Sequence, residues 1–161
     1  MTDFVMNPKV GADPRPDITD TALMDAAGAK AHFTQDDLGK AVKLGADSSY
    51  QICTADDEIE GFVVAVEPFT VNSGHSFGSV QRNQRTHAVV STDNPSVGDY
   101  VVAEAQAVLN TMNTLEVTGQ TRHMPLVKVI ADASEVVHKW RILSVIRTAG
   151  AGKAIVTIER V

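Results

Sequence analysis

Short apolar runs separated by turn-forming residues make up most of the chain from residue 39 onward. The runs are rich in Val, Ile and Thr, and the segments between them contain Gly, Pro, Asn, Asp or Ser. This spacing is typical of β-strands, and few segments show a helical period. The pattern therefore predicts an all-β fold, a compact small β-barrel or sandwich. The candidate strands are Gly39–Gly45, Tyr50–Cys53, Glu60–Glu67, Thr86–Ser91, Asp99–Ala103, Lys139–Arg147 and Lys153–Arg160.

The last two of these runs form the clearest local motif. They are separated by a short stretch that contains Gly150 and Gly152. Two strand-like runs joined by a short glycine-bearing segment predict a β-hairpin.

The first part of the chain has a different character. It contains Pro8, Pro14 and Pro16, and a proline disfavours the helical conformation at the residue before it. We therefore predict that this part of the chain is extended. We expect an arm rather than a second domain, and a disordered tail is the alternative.

A short helix is predicted within this arm. Thr19 or Asp20 can cap it, and Leu23, Met24 and Ala27 then share an apolar face. The chain is thus divided into an extended N-terminal arm with a short helix, residues 1–36, and a β-rich domain, residues 37–161.

Composition narrows the functional classes. The 161 residues carry a formal charge of −6 and no block of Lys and Arg, which argues against direct binding of nucleic acid. The N-terminal residues lack the pattern of a signal peptide, and no apolar run approaches the ~20 residues of a membrane span. A single cysteine excludes an internal disulfide. We expect a soluble protein made and used in a cytosol-like compartment, away from the membrane.

One motif suggests an enzyme. Residues 74–78 read GHSFG and fit G-x-S-x-G, the nucleophile elbow of many esterases. The elbow needs a helix after the serine, but residues 79–90 show no helical apolar face. We therefore predict a turn that leads into a returning strand through Phe77, Ser79 and Gln81. A small β-fold serine hydrolase that uses Ser76 is the alternative.

The other polar clusters have simple structural interpretations. We interpret Asp56-Asp57-Glu58 as an acidic turn exposed to solvent. The five histidines lack the spacing of a metal site. Cys53 reads as a small buried residue. The sequence therefore predicts no catalytic residue, no bound metal and no cofactor. Arg82 and Arg85 form a small basic stretch that could meet an acidic surface.

The order of segments from Leu38 to Val161 resembles the capsid decoration, or cement, proteins of tailed bacteriophages. The shared features are an early strand pair, a "-GVV-" strand, a "-GD-V-" strand entry and a closing hairpin with a Gly/Ala turn. The segments that carry the resemblance are GKAVKL at 39–44, DEIEGFVVAV at 57–66, FGSVQ at 77–81, VGDYVV at 97–102 and GAGKA at 150–154.

The resemblance implies a fold, a location on the virion and a binding partner. Such proteins are small β-rich domains, described as β-tulip-like and often trimeric, on the exterior of the virion capsid. They bind the major capsid protein and hold the expanded head against the pressure of packaged DNA, without a cofactor. A decoration protein of this kind is not an enzyme, and it is made in the host cytoplasm.

On this interpretation the arm and the basic stretch supply the candidate contacts to the capsid or to sister subunits. A carbohydrate- or receptor-binding module on a virion or cell surface is a further alternative. The candidate contact residues are Pro14, Arg15, Pro16, Leu23, Met24, Phe33, Arg82 and Arg85.

Overall fold

A computed structural model describes residues 19–23, 33–46, 48–67, 77–82, 85–91, 94–106, 114–117, 120–148 and 154–161. Within these ranges the chain forms β-strands and one turn of 3-10 helix at Gln35–Asp37. The all-β class is confirmed. The strands are β1 (Thr19–Leu23), β2 (Ala41–Leu44), β3 (Tyr50–Ile52), β4 (Gly61–Glu67), β5 (Phe77–Gln81), β6 (Arg85–Val90), β7 (Tyr100–Ala103), β8 (Thr114–Val117), β9 (Gln120–His123), β10 (Leu126–Ile130), β11 (Trp140–Thr148) and β12 (Ala154–Arg160).

Five strands close into a barrel in the order β10-β6-β12-β11-β7. The pairing of β10 with β6 is parallel, and the other pairings in the barrel are antiparallel. Along β12, Ala154, Val156 and Ile158 are buried while the residues between them are half-buried. Alternate residues of β12 therefore point to the interior of the barrel, as the period of two in the sequence predicts.

The second body is an antiparallel sheet in the order β1-β5-β4-β2-β3. Neighbouring residues on its strands belong to two different hydrophobic clusters. Ala41 and Phe62 belong to the cluster that fills the barrel, whereas Val42 and Val63 belong to a cluster with Phe33. The sheet is therefore covered on both faces, by the barrel on one side and by the segment around the 3-10 turn on the other. β8 and β9 form a separate hairpin.

The predicted strands and the closing hairpin are confirmed. β11 pairs with β12 from Trp140↔Arg160 to Thr148↔Ala154, and bulges occur between Ile142 and Ser144 and between Val145 and Arg147. The returning strand predicted after GHSFG is present as β5. The sequence analysis did not identify β1, β8, β9 or β10.

The helix predicted to begin at Thr19 or Asp20 is wrong over the residues that the structure describes. Thr19–Leu23 is the strand β1, which pairs with β5 from Thr19↔Gln81 to Leu23↔Phe77. Two threonines in five residues suit a strand, and the ladder with β5 outweighs the weak capping signal. Met24 and Ala27, which completed the predicted apolar face, lie outside the described residues.

Two pieces of the predicted arm thus lie against the β-rich body. β1 extends the sheet, and Phe33 is only 1% exposed within the second core cluster. Gln35 also donates a 3.0 Å hydrogen bond to the carbonyl oxygen of Val66 on β4. The division at residue 36 stays a prediction, but packing of the described chain against the sheet begins before it.

Candidate functional site

The surroundings of GHSFG differ from those of a nucleophile elbow. Residues 77 and 78 begin β5, which pairs with β4 and β1, so a strand follows where the elbow requires a helix N-terminus. Ser76 itself lies outside the described residues.

The acidic turn at 56–58 lies between β3 and β4 of the sheet and forms hydrogen bonds to the barrel. Asp57 accepts hydrogen bonds from the backbone N–H of Thr54 at 2.6 Å and from its hydroxyl at 2.7 Å, and it pairs with Lys43 at 2.8 Å. Burial by itself would raise the pKa of this carboxyl, but these donors outweigh burial and hold the pKa below its ordinary value. Asp56 forms an ion pair with Lys128 on β10.

The backbone of the same turn is tied to the barrel strand β7. Asp56 N–H donates to the carbonyl of Ala103 at 3.0 Å, and Ala103 N–H donates to the carbonyl of Asp57 at 2.9 Å. The carboxylates at 56 and 57 therefore face cations and donors of the chain itself. In the described parts of the chain, no three His, Cys, Asp or Glu side chains are grouped so that they could hold a metal ion.

Cys53 lies beside this turn and is 2% exposed. Burial, followed by the charge of Asp57, raises the pKa of the thiol well above its ordinary value. A buried thiol that stays protonated is a poor nucleophile, so the geometry agrees with the prediction of a small core residue.

A second set of ionisable groups lies around Glu60, where the sheet meets the barrel. Its carboxylate is 3.3 Å from Nε of Arg82 and 2.5 Å from Nε2 of His138. Arg160, at the end of β12, donates to the carbonyl oxygen of Glu60 at 3.4 Å. Glu60 is thus held between residues of the sheet and of the barrel.

His138 lies between Arg160 and Glu60. The guanidinium of Arg160 is within hydrogen-bond distance of Nδ1, and Nε2 faces the carboxylate of Glu60. The backbone N–H of His138 donates to the carboxylate of Glu58. These contacts link the loop before β11 and the end of β12 to the residues that precede β4.

Arg82 and Arg85 each contact an acidic residue of the same chain. Nε of Arg82 donates to the hydroxyl of Tyr50 at 2.7 Å, and its guanidinium lies 5.6 Å from the centre of the Tyr50 ring, in addition to the contact with Glu60. Arg85 is paired with Glu159 at 2.5 Å across β6 and β12. Both arginines therefore have an acidic partner within the chain, and the side chain of Arg85 is still 63% exposed.

The remaining predicted contact residues divide into two groups. Phe33 is a core residue, so its side chain is not available to a partner. Leu23 is the last residue of β1. Pro14, Arg15, Pro16 and Met24 lie outside the described residues.

Exposed apolar side chains of the described residues lie at several places on the surface. They are Leu44 on β2, Val97 in the loop before β7, Val137 in the loop before β11, Val145 and Ile146 on β11, and Val161 after β12. Val145 and Ile146 are exposed although both lie in the hairpin that closes the barrel. Sequence reasoning identified the hairpin but missed this exposure. The available signal was the adjacent apolar pair at 145 and 146, because neighbouring side chains of a strand point to opposite faces.

Comparison of the sequence with protein-family models and with curated proteins gives no match. Among the residues that the structure describes, no helix has the length and apolar character needed to cross a bilayer.

Proposed function

We propose that this protein is a capsid decoration protein, which binds the outer surface of a mature phage head and stabilises the shell. The observation that carries the proposal is where the resembling segments fall. Four of them coincide with β2, β4, β5 and β7, which belong to the sheet and the barrel, and the fifth, 150–154, falls between β11 and β12, mostly outside the described residues. The resemblance therefore concerns the framework of the domain rather than one local motif.

The interior of the described chain supports a binding role over catalysis. Its ionisable groups at 54–60, 82, 138 and 160 link the sheet to the barrel, and its cysteine is buried. A protein that contributes binding energy alone needs a rigid body and an accessible surface. Because it binds the expanded lattice, its binding free energy stabilises that lattice by mass action. Repetition over a symmetric shell, with three copies in a trimer, adds the benefit of multivalency.

The N-terminal arm remains part of the proposal, with a revised boundary. β1 pairs with β5 and Phe33 fills the core, so a deletion through Phe33 removes part of the folded body. Deletion of residues 1–18 instead stops before β1 and removes Pro14, Arg15 and Pro16. We expect this truncated chain to fold and to bind heads more weakly. Normal decoration of heads by the truncated chain would exclude the arm as a contact.

The decisive test is the copy number of the chain in virions. Virions of the source phage are purified, and the chain is measured against the major capsid protein by gel and mass spectrometry. We expect an abundance comparable to that of the capsid protein. A few copies for each virion would indicate a tail or fibre accessory instead. Complete absence would refute decoration, and phosphonate labelling of Ser76 would then test the hydrolase alternative.

A further inference from the structure

A histidine ring lies between a cation and an anion where the end of β12 meets the residues before β4. The guanidinium of Arg160 is within hydrogen-bond distance of Nδ1 of His138, and Nε2 of the same ring faces the carboxylate of Glu60 at 2.5 Å. Histidine is the side chain whose charge ordinarily changes between about pH 5 and pH 8. A change of protonation at this ring acts on both contacts at once.

The two contacts make opposite demands on the ring. A guanidinium carries donors and no acceptor, so a hydrogen bond from Arg160 needs a ring nitrogen without a proton. An ionised carboxylate only accepts, so a hydrogen bond to Glu60 needs a ring nitrogen that carries a proton. A neutral ring with its proton on Nε2 meets both demands. A protonated ring has donors on both nitrogens and meets only the demand of Glu60.

The charges around His138 balance one another while the ring is neutral. Among the described residues, Glu58 accepts from the backbone N–H of His138, and Arg82 lies 3.3 Å from Glu60. With Arg160, the set contains two carboxylates and two guanidinium groups. A proton on the ring adds a positive charge beside Arg160, at a side chain that is only 28% exposed.

The loop before β11, which carries His138, contains three further charged residues, Asp132, Glu135 and Lys139. Lys139 interacts electrostatically with Asp132, and Glu135 is exposed to solvent. The contacts of the His138 ring with Arg160 and Glu60 are therefore the ones on which its protonation acts directly.

Arg160 relies on His138 for its shortest contact. Its other acceptors are the carbonyl oxygens of Glu60 at 3.4 Å and of Arg82 at 3.5 Å, and both distances are long for hydrogen bonds. If the bond to Nδ1 is lost, these two weak bonds are left to hold the guanidinium. Loss of that bond therefore weakens the tie between the end of β12 and the sheet.

We propose that His138 and Arg160 form a pH-sensitive latch between the barrel and the sheet. At the upper end of the range in which histidine titrates, the ring is neutral with its proton on Nε2, and Arg160 is bound to Nδ1. As pH falls through that range, Nδ1 takes up a proton and the bond to Arg160 is lost. The ring keeps its bond to Glu60, which becomes charge-assisted. The latch is a property of the folded chain and does not rest on the decoration function.

The first experiment observes the ring in the full chain. NMR correlation of the ring nitrogens with the carbon-bound ring protons distinguishes protonated from unprotonated nitrogens, and the signals of His138 are those lost in His138→Gln. We expect a proton on Nε2 and none on Nδ1 at pH 8, and a proton on both at pH 5. A proton on Nδ1 at pH 8, or a ring that is still neutral at pH 5, would overturn the latch.

The second experiment follows the guanidinium protons of Arg160. Carbon-13-detected NMR measures their exchange with water relative to that of Arg85, which is paired with Glu159 at 2.5 Å. The ratio cancels the intrinsic pH dependence of exchange, because both arginines share it. We expect the ratio of the Arg160 rate to the Arg85 rate to rise about tenfold between pH 8 and pH 5, as the protected guanidinium is released.

Two substitutions separate His138 from the other titrating groups. The glutamine side chain can accept from Arg160 and donate to Glu60 but does not titrate, so His138→Gln should keep the ratio constant from pH 8 to pH 5. His87→Gln is the matched control and should behave like the wild type, because His87 is exposed on β6 and its Nδ1 is 3.3 Å from the hydroxyl of Thr157. A constant ratio in the wild type, or the same rise in His138→Gln, would refute the latch. The two wild-type measurements decide the matter even if a variant does not fold.

Discussion

The indole Nε1 of Trp140 donates a 2.9 Å hydrogen bond to the carbonyl oxygen of Ile59. Trp140 begins β11 of the barrel, whereas Ile59 lies just before β4 of the sheet, so the bond crosses from one body to the other. The same indole meets the Phe62 ring edge-on, with centroids 4.8 Å apart and planes at 75°. Trp140 and Ile59 are at most 1% exposed. The barrel and one face of the sheet therefore share a hydrophobic cluster, and the hydrogen bond of Trp140 satisfies a buried carbonyl group within it.

Replacing Trp140 with Phe tests this bond. Phe keeps an aromatic ring but removes the donor, which leaves the buried Ile59 carbonyl without that partner and opens a small cavity. We expect a loss of about 2–4 kcal/mol in the free energy of unfolding, from the unsatisfied group and the lost volume. Urea unfolding followed by circular dichroism measures it. A loss below that of an ordinary surface substitution would show that the indole does not join the two bodies.

Gln106 makes a second link between the bodies and is 4% exposed. Its Oε1 accepts from the N–H groups of Ala41 on β2 at 3.3 Å and Leu126 on β10 at 3.2 Å. Its Nε2 donates to the carbonyls of Glu104 and Leu126, both at 2.6 Å. The hydrogen-bonding capacity of the amide is therefore fully used.

Gln106→Leu is expected to destabilise the protein by about 2–4 kcal/mol, because it leaves buried backbone groups unpaired. Gln35→Leu is the matched control. Gln35 is exposed and donates one bond, to the Val66 carbonyl, so its loss is expected to cost only about 1 kcal/mol. Thermal and urea unfolding of both variants provide the comparison. Equal losses would contradict the role assigned to the buried amide.

Gly61 allows a close approach of β4 and β5. A Cβ atom at this position would lie 2.6 Å from the carbonyl oxygen of Gln81 and 2.7 Å from Cγ1 of Val80. The first contact is to backbone held in the ladder, so it cannot be relieved by a rotamer change. We expect Gly61→Ala to cost about 3 kcal/mol of unfolding free energy.

Gly98→Ala is the control for this glycine. A Cβ at Gly98 meets nothing within 4 Å, and only its φ of +98° opposes a side chain. Its expected cost is about 1 kcal/mol. The explanation by steric contact is wrong if Gly61→Ala is as well tolerated as Gly98→Ala.

The sequence predicted the strands whose pattern is local and could not predict those fixed by distant partners. β4 and β12 have runs of β-branched residues, so their type was readable from a few neighbours. β1 is five residues long and begins with residues that also cap helices, and only its pairing with β5 decides its conformation. β10, with the sequence LVKVI, does carry a local strand pattern that the sequence analysis did not use, and only its parallel pairing with β6, between residues 126 and 89, is encoded by no local pattern.

For the candidate contact residues too, the sequence showed the type of each residue but not the contacts that depend on distant parts of the chain. The charge of Arg82 could be read from the sequence, but its ion pair with Glu60 and its hydrogen bond to Tyr50 depend on the meeting of β4, β5 and β3. Phe33 looked like part of an arm because its partners Val42 and Val63 come later in the chain. Exposure of Val145 and Ile146 follows from where β7 stops pairing with β11, which is a property of the assembled barrel.

Asp57 should make part of the stability depend on pH. Its pKa is lowered, so the unfolded chain binds the proton more tightly than the folded chain. Its contribution is complete above the unfolded pKa of about 3.9 and is lost as pH falls through the folded pKa. Asp57→Asn removes the charge that faces Lys43. We expect the variant to be about 1 kcal/mol less stable at pH 7, with the gap narrowing below pH 4. Urea unfolding across pH 2–7 measures it, and a gap that stays constant would contradict the assignment.

The reactivity of the Cys53 thiol should show whether the core between the sheet and the barrel is intact. The thiol is 2% exposed, and burial raises its pKa, so the native chain presents neither access nor thiolate to a reagent. We expect no reaction with an aromatic disulfide reagent in native buffer at pH 8 over hours, and one thiol for each chain in denaturant. The rate should rise in Trp140→Phe, because Trp140 and Cys53 share a core cluster and opening of that cluster exposes the sulfur. Rapid labelling of the native wild type would show instead that the loop 53–60 opens independently of the core.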